Sequence, residues 1–306
     1  MVSVGDGGDA DRAVGVVVVT WNSAEVLPGL IESLADGMEG LDWHLVVADN
    51  ASTDRTLDVV RGIHPEPRIA AGDRNLGFAA GVNRGIALTD PTSDVLVLNP
   101  DVRLHPGAGR QLQRALRAPA TGIAAPRIED GSGKPVAVLR HEPSASRALA
   151  ETVLGVRLAG RIGWGEAILD RRSYSRSTVA DWASAAALMI SRECLAECGP
   201  WDESFFLYSE DTDYALRARE RGFATRLAPD ARATHLGGDS RRDPELWTLL
   251  TLNKVTLHRR RHGAWRGRSF RAASVVREFR FAITGNRASW RAMRSLLTDS
   301  QTGQAA

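Results

Sequence analysis

Short uninterrupted apolar runs alternate with segments of helical spacing through the first hundred residues. Val14–Thr20 is a β-branched run without a polar break, the pattern of a strand covered on both faces. Residues 44–48 and 95–98 repeat it, and each run is followed by polar residues. Between these runs lie three helical segments. Ser23 is placed to cap one that reaches about Leu34, Asp54 to cap one that reaches about Arg61, and residues 77–88 form the third. Regular alternation of strand and helix predicts an α/β fold: an open, mostly parallel, doubly wound sheet with helices on its faces.

Ligands of such sheets gather beyond the carboxyl ends of the strands, and the polar residues fall there. Trp21-Asn22 follow the first run, Asp49-Asn50-Ala51-Ser52 the second, and Asn99-Pro100-Asp101 the third. An aspartate in that crevice can accept a hydrogen bond from a pyrimidine N3–H or a ribose hydroxyl. Hard cations such as Mg²⁺ or Mn²⁺ favour carboxylate and diphosphate oxygens. Plain turn and cap chemistry also accounts for Asp49, Asp54 and Asp101. There is no Gly-x-x-x-x-Gly-Lys-Ser/Thr, which argues against a P-loop. Gly77, Gly81 and Gly85 are spaced by four, which lines one helix face for close packing and does not match a dinucleotide fingerprint. Asn75 stands at the mouth of that helix.

Glu210, Asp211 and Asp213 crowd together behind Phe205-Phe206-Leu207-Tyr208. Like charges at this spacing repel, and their burial is costly without a partner. The first turn of a helix running through Leu216 and Arg221 would favour each acid by only ~0.3–1 kcal/mol. A site that needs carboxylates is the other reading.

With 306 residues, 43% hydrophobic and 25% charged, the chain can bury a large core with an appendage; residues 1–12 are expected to be disordered. Its longest N-terminal apolar run is far short of the roughly 18–20 residues of a spanning helix. Acidic and glycine residues precede that run, unlike a signal peptide. Cys194 and Cys198, four apart on an expected helix, suit neither a relaxed disulfide nor a zinc site, so a reducing cytoplasm fits best.

The net charge of +2 conceals an asymmetry, because residues 254–294 hold twelve Lys/Arg against one acid, Glu278. Trp265, Phe270, Phe279, Phe281, Ile283 and Trp290 are interleaved with them. That composition suits an amphipathic helix on anionic lipid, or a solvated structural face. Nucleic acid is disfavoured, since no recognition motif accompanies the charge. Residues 246–257 read as a further helix.

Six ordered stretches carry a resemblance: Thr20-Trp21-Asn22; Asp49-Asn50-Ala51-Ser52-Thr53-Asp54; Asn75-Leu76-Gly77-Phe78 with Gly81 and Gly85; Leu98-Asn99-Pro100-Asp101; Asp181-Trp182; and Phe206-Leu207-Tyr208-Ser209-Glu210-Asp211-Thr212-Asp213. The chain resembles the family 2 glycosyltransferases of GT-A fold, and within them the rhamnosyltransferase branch that builds bacterial cell-surface glycans. This implies a nucleotide-sugar domain over residues 13–240 and a helical basic region over 241–306.

The resemblance implies that Thr20, Asn22, Asp49, Asn75, Gly77, Asn99, Asp101, Trp182 and Glu210 bind the donor, with Asp49 on the base. It implies a divalent metal, Mg²⁺ or Mn²⁺, held by Asp101 and by His235 of Ala233-Thr234-His235-Leu236-Gly237-Gly238. Asp211 is the implied general base of an inverting transfer. The implied donor is dTDP-rhamnose, and the acceptor a hydroxyl of a cell-surface glycan or polyprenyl-diphosphate-linked sugar. The implied location is cytoplasmic, peripheral on the inner face of the plasma membrane.

Two departures stand out. Ala183-Ser184-Ala185-Ala186 replaces the relatives' Ser-Gly-Ala, and Asn99-Pro100-Asp101 offers one carboxylate fewer than Asp-x-Asp. A non-catalytic nucleotide-sugar-binding protein and a nucleotidyltransferase are the other classes that fit such a crevice. The latter usually opens with a Gly-rich loop and a basic pair, which are absent after Val19. Residues 129–178 are less diagnostic; their Arg/Gly-rich stretch around 157–176 reads as a loop or short helices covering the acceptor site, or equally as a flexible insertion with no role.

Overall fold

The computed structural model describes residues 12–237 and 243–298. The first half runs β1 (Val14–Thr20), α1 (Leu27–Gly37), β2 (Trp43–Asp49), α2 (Thr56–Arg61), β3 (Arg68–Ala71), α3 (Phe78–Ile86), β4 (Asp94–Leu98), β5 (Val102–Leu104), α4 (Ala108–Leu116) and β6 (Thr121–Asp130). Then come β7 (Pro135–Val136), β8 (Leu139–Arg140), α5 (Ala145–Leu154), α6 (Val156–Arg161), β9 (Val179–Ala180), β10 (Trp182–Ala183), β11 (Ala187–Ile190), α7 (Arg192–Cys198), α8 (Glu210–Glu220) and β12 (Ala224–His235). Two helices follow, α9 (Pro244–Ala282) and α10 (Arg287–Thr298).

The main sheet has the order β3-β2-β1-β4-β11-β6-β12-β5. Its β3-β2-β1-β4 half is parallel, and every residue of β1 is buried, as its β-branched run predicts. β11 enters antiparallel to both β4 and β6, and β5 closes the edge antiparallel to β12. The α/β expectation holds, with a mixed second half. The β1–β2 register ends by setting Thr20 beside Asp49 at the carboxyl edge.

α3 lies close on that parallel half. A Cβ at Gly81 would stand 2.5 Å from Val19 Cγ1, and one at Gly85 2.4 Å from Val17 Cγ1. The glycine spacing is thus a packing device, as expected. The helix expected to start at Ser23 begins instead at Leu27, with Pro28 in its first turn and no side-chain cap. The Ser23 carbonyl accepts from the N–H groups of Val26 and Leu27, while its own N–H donates to Thr56 Oγ1 at 2.7 Å. Asn22, at φ 50°, has already turned the chain toward α2. Asp54 stands one residue before the N-cap position of α2, Arg55, and its Oδ1 accepts the N–H of the first helical residue, Thr56, at 2.9 Å.

The C-terminal region forms a layer on the sheet domain. α9 comprises two helical runs broken at Gly263, where φ is 81°. Phe270 and Ala273 of its second run pack on Ala148 of α5, and α10 packs back along it. The expected domain boundary at residue 240 and the Gly238 of the His235 motif lie outside the described residues, as do residues 1–11. Among the described residues, no helix is long and apolar enough to cross a membrane.

Candidate active site

The turn after β1 and the loop after β2 are built on one another. Asp49 is fully buried, and its Oδ1 accepts from the hydroxyls of Thr20 at 2.7 Å and Ser52 at 2.5 Å. Its Oδ2 accepts the Ser52 N–H at 2.9 Å. Asn22 donates its N–H to Ser52 Oγ at 2.9 Å and accepts the Thr53 N–H at 2.8 Å. Thr20, Asn22 and Asp49 are therefore brought together, with the Thr20 and Asp49 side chains enclosed by the loop they shape.

Opposite this turn, the N-terminus of α3 holds the loop that precedes α8. Asn75 Oδ1 accepts the Gly77 N–H at 2.9 Å, and Asn50 Nδ2 donates to the Gly77 carbonyl at 2.9 Å. The Phe78 N–H donates to the Phe206 carbonyl at 3.0 Å. Gly77 sits at φ 91°, and a Cβ there would meet the Phe206 carbonyl oxygen at 2.1 Å, so both the conformation and the approach require glycine. Asn83 clamps the same loop, exchanging bonds of 2.9 and 3.0 Å with the Trp201 backbone.

That loop ends in two consecutive left-handed residues, Tyr208 at φ 68° and Ser209 at φ 77°. Non-glycine residues reach this region at a cost and persist there when surrounding structure holds them. The hold comes from α9, where Asn253 Nδ2 donates to the carbonyls of Leu207 at 2.9 Å and Tyr208 at 3.2 Å. The turn delivers the three acids at the start of α8, in three different states. Asp213 is paired with Arg217 at 2.7 Å, and Arg217 also donates to the Cys198 carbonyl at 2.6 Å, so Asp213 serves the packing of α7 on α8.

Glu210 is buried and its Oε2 has no hydrogen-bond partner. Burial first, and then the neighbouring charge of Asp211, push its carboxyl up to about 8. Asp211 is also raised by burial. Its Oδ1 accepts the Thr212 N–H at 2.7 Å and its Oδ2 the Ala185 N–H at 3.3 Å, while the charge of Lys254 on α9 opposes the rise. Ala185, the departure from the relatives' glycine, thus supplies a backbone bond to Asp211. Trp182 is buried, and its indole N–H is spent on the His141 carbonyl at 3.0 Å, which makes the ring a wall rather than an open platform.

Asp101 and His235 meet where β12 runs beside the loop after β4. Asp101 Oδ1 lies 3.1 Å from His235 Nε2, with both side chains partly exposed. The Leu236 N–H donates to the Asp101 carbonyl at 2.9 Å, and a Cβ at Gly237 would stand 2.3 Å from Asp101 Oδ2. The Asn99 N–H donates to the Ala186 carbonyl at 3.0 Å, tying this loop to the residues beside Asp211. Among the described residues, no group of three or more His, Cys, Asp and Glu could hold a metal. One carboxylate and one imidazole nonetheless suit Mn²⁺ or Mg²⁺ when diphosphate and water oxygens complete the shell.

Comparison with known proteins decides the family. The profile described as glycosyl transferase family 2 matches residues 15–174. This chain belongs to glycosyltransferase family 2. It is 32% identical over 241 residues to an N-acetylglucosaminyl-diphospho-decaprenol L-rhamnosyltransferase of Mycobacterium tuberculosis, covering 75% of this chain and 78% of that one. It is 27% identical to the low-salt glycan biosynthesis hexosyltransferase Agl10 of Haloferax volcanii, over 67% of this chain and 61% of that one. The mannosyltransferase PcManGT of Pyrobaculum calidifontis, solved with GDP-Man and Mn²⁺, superposes with a TM-score of 0.58 at 15% identity, over 96% of this chain and 78% of that one. The fold is therefore of GT-A type.

The glycosyltransferase also has a polar seam that motif reading missed, centred on Asp181, which the resemblance included without a role. Asp181 accepts from Arg219 at 2.9 Å and from the Glu142 N–H at 2.8 Å. Burial alone would raise its carboxyl, but these bonds and His141 hold it well below the usual carboxylate range. Glu142 in turn pairs with Arg219 and with His262 of α9, the latter at 2.7 Å. Asn253 and Lys254 belong to the same seam, with Lys254 paired to Glu166 at 2.6 Å. Apart from Asp181, none of these carries a local signal, because their partners lie far away in the chain. Lys254, Arg260, Arg261 and Arg277, counted in the basic tail, are turned to ion pairs with this chain's own acids.

Proposed function

We propose that this glycosyltransferase moves L-rhamnose from dTDP-rhamnose to a hydroxyl of a polyprenyl-diphosphate-linked sugar, inverting the anomeric centre. The donor and acceptor classes are carried by the likeness to the mycobacterial rhamnosyltransferase. The observation that carries the chemistry is Asp211, a half-buried carboxylate set by a strained turn beside the strand carboxyl ends. Asp211 takes the proton of the acceptor hydroxyl as that oxygen attacks the anomeric carbon, and the bond from that carbon to the diphosphate oxygen breaks on the opposite face. Such a base contributes about 10²–10⁴-fold.

Glu210, kept neutral by burial near pH 7, leaves the negative charge of the pair on Asp211. Asp49, Thr20 and Asn22 shape the base pocket, while Asn75, Gly77 and Asn99 hold the loops around the sugar, with Trp182 walling it. Asp101 and His235 are the residues that would hold a divalent cation, which when bound offsets charge on the departing diphosphate. The enzyme works on the cytoplasmic side, docked on anionic membrane by outward basic residues of 254–294 that include Arg259, Arg266, Arg268, Arg280, Arg287 and Arg294. Residues 13–240 carry the transfer and 241–306 the docking.

Calorimetric titration of nucleotide sugars with and without Mn²⁺ tests the donor half. Binding of dTDP-rhamnose is expected to strengthen with the metal, and Asp101→Ala is expected to lose that dependence. Binding of a UDP- or GDP-sugar in its place would replace the donor assignment, and an unchanged titration in Asp101→Ala would remove Asp101 from the metal.

A further inference from the structure

α5 and α6 form a helical hairpin joined at Gly155, and its outer surface is apolar. Leu149 is 46% exposed, Val153 81%, Leu158 49%, Ile162 48%, and Trp164 just beyond it 63%. Ala148 on the inner side packs on Phe270 and Ala273 of α9, so the hairpin and α9 belong to one helical layer. The second run of α9 carries apolar residues on both faces. Phe270, Ala273 and Ala282 point inward, while Trp265, Val276, Phe279 and Ile283 recur at helical spacing on the opposite side with exposures of 47–77%. A helix covered only by water keeps one such face polar.

A cleft of about 780 Å³ joins the two surfaces, since Ser146, Arg147 and Trp164 of the hairpin side and Arg266 and Ser269 of α9 line it together. Unpaired charge on this face is mainly positive: Glu142 and Asp181, which also line the cleft, are paired with Arg219 and His262, and Glu245 at the start of α9 with Arg291. The acids of this layer, Glu151, Glu166 and Glu278, are turned inward onto Arg277 and Lys254. Arg157, Arg161, Arg266, Arg268 and Arg280 are exposed. Exposed apolar side chains rimmed by unpaired arginines match an anionic bilayer surface, with chains at the acyl boundary and guanidinium groups among phosphates.

We infer that the α5–α6 hairpin is the apolar wedge of the membrane-docking face, entering an anionic bilayer beside the outward stripe of α9. This deepens the docking proposed above, and rests on it, by moving the insertion to residues 145–164, which the charge pattern of the basic tail does not indicate.

The test is flotation of the full chain with phosphatidylglycerol-containing vesicles and with pure phosphatidylcholine vesicles. It compares wild type with a hairpin variant (Val153→Glu with Ile162→Glu) and a stripe variant (Phe279→Glu with Ile283→Glu). Wild type is expected to float with the anionic vesicles only. The hairpin variant is expected to partition at least tenfold less, with nucleotide-sugar titration and Tm unchanged. Quenching of tryptophan fluorescence by brominated lipid is expected to fall in Trp164→Phe, a milder substitution.

Equal flotation of the hairpin variant with a loss in the stripe variant would overturn the wedge and leave docking through α9 standing. No flotation of wild type would overturn both, while an intact donor titration would still support the transferase. Hairpin-dependent dimerisation with unaltered flotation would make the surface a contact between copies of this chain, which also overturns the wedge.

Discussion

Glu210 and Asp211 are adjacent acids with different surroundings. Asp211 has two backbone N–H groups and the nearby Lys254 to support a charge, whereas Glu210 has an unpartnered buried oxygen. Its raised carboxyl means that the folded state holds a proton the unfolded chain has already released above the ordinary glutamate value of 4.5. Stability from this group is present below that value and is lost as pH rises through about 8. Glu210→Gln is therefore expected to raise Tm at pH 8.5 by ~3 °C or more, with the gain vanishing by pH 4. Melting curves at the two pH values check it, and an equal shift at both would mean that the charge is not the cause. The crowding of these acids was legible in the sequence because like charges in a row need a reason. That Asp213 is only a packing partner was not, since Arg217 is equally compatible with an exposed face until Cys198 is seen to hold it. The closeness of Asp101 to His235 was expected from the resemblance alone, because 134 residues separate them.

Elements succeed or fail as site builders by how closely they approach. α3 brings its N-terminus against the 201–209 loop through Gly77, where any Cβ would strike the Phe206 carbonyl. Gly77→Ala is expected to destabilise the protein by on the order of 1–3 kcal/mol and to lower turnover, since the displaced loop carries Asp211. Denaturant unfolding and initial rates check this together, and a stable, fully active variant would show that the loop is not held there. The parallel strands were readable from unbroken β-branched runs. β11 was not, because antiparallel entry into a mostly parallel sheet leaves no period that distinguishes it, and β12, parallel to β6, was not because its sequence holds no unbroken apolar run. The start of α1 was misplaced because Ser23 has a capping side chain but lies before a turn set by Asn22 and Pro28.

On the scale of the whole molecule, the C-terminal helices complete the site as well as its surroundings. Asn253 holds the strained turn, Lys254 bears electrostatically on Asp211, and His262 joins the Glu142–Arg219 seam. Charge counting marked this region as a patch for a partner, whereas its inward cations are structural cement. Which cations face inward is decided by acids distant in sequence, so composition could not sort them. The central claim is transfer by a glycosyltransferase whose base is Asp211. It is tested most directly by following rhamnosyl transfer from dTDP-rhamnose to a polyprenyl-diphosphate-linked sugar acceptor in wild type and Asp211→Asn, with donor affinity titrated in parallel. The account predicts transfer with inversion in wild type and a loss of ~10²–10⁴-fold in the variant at unchanged donor affinity. Near-normal transfer by Asp211→Asn would contradict it.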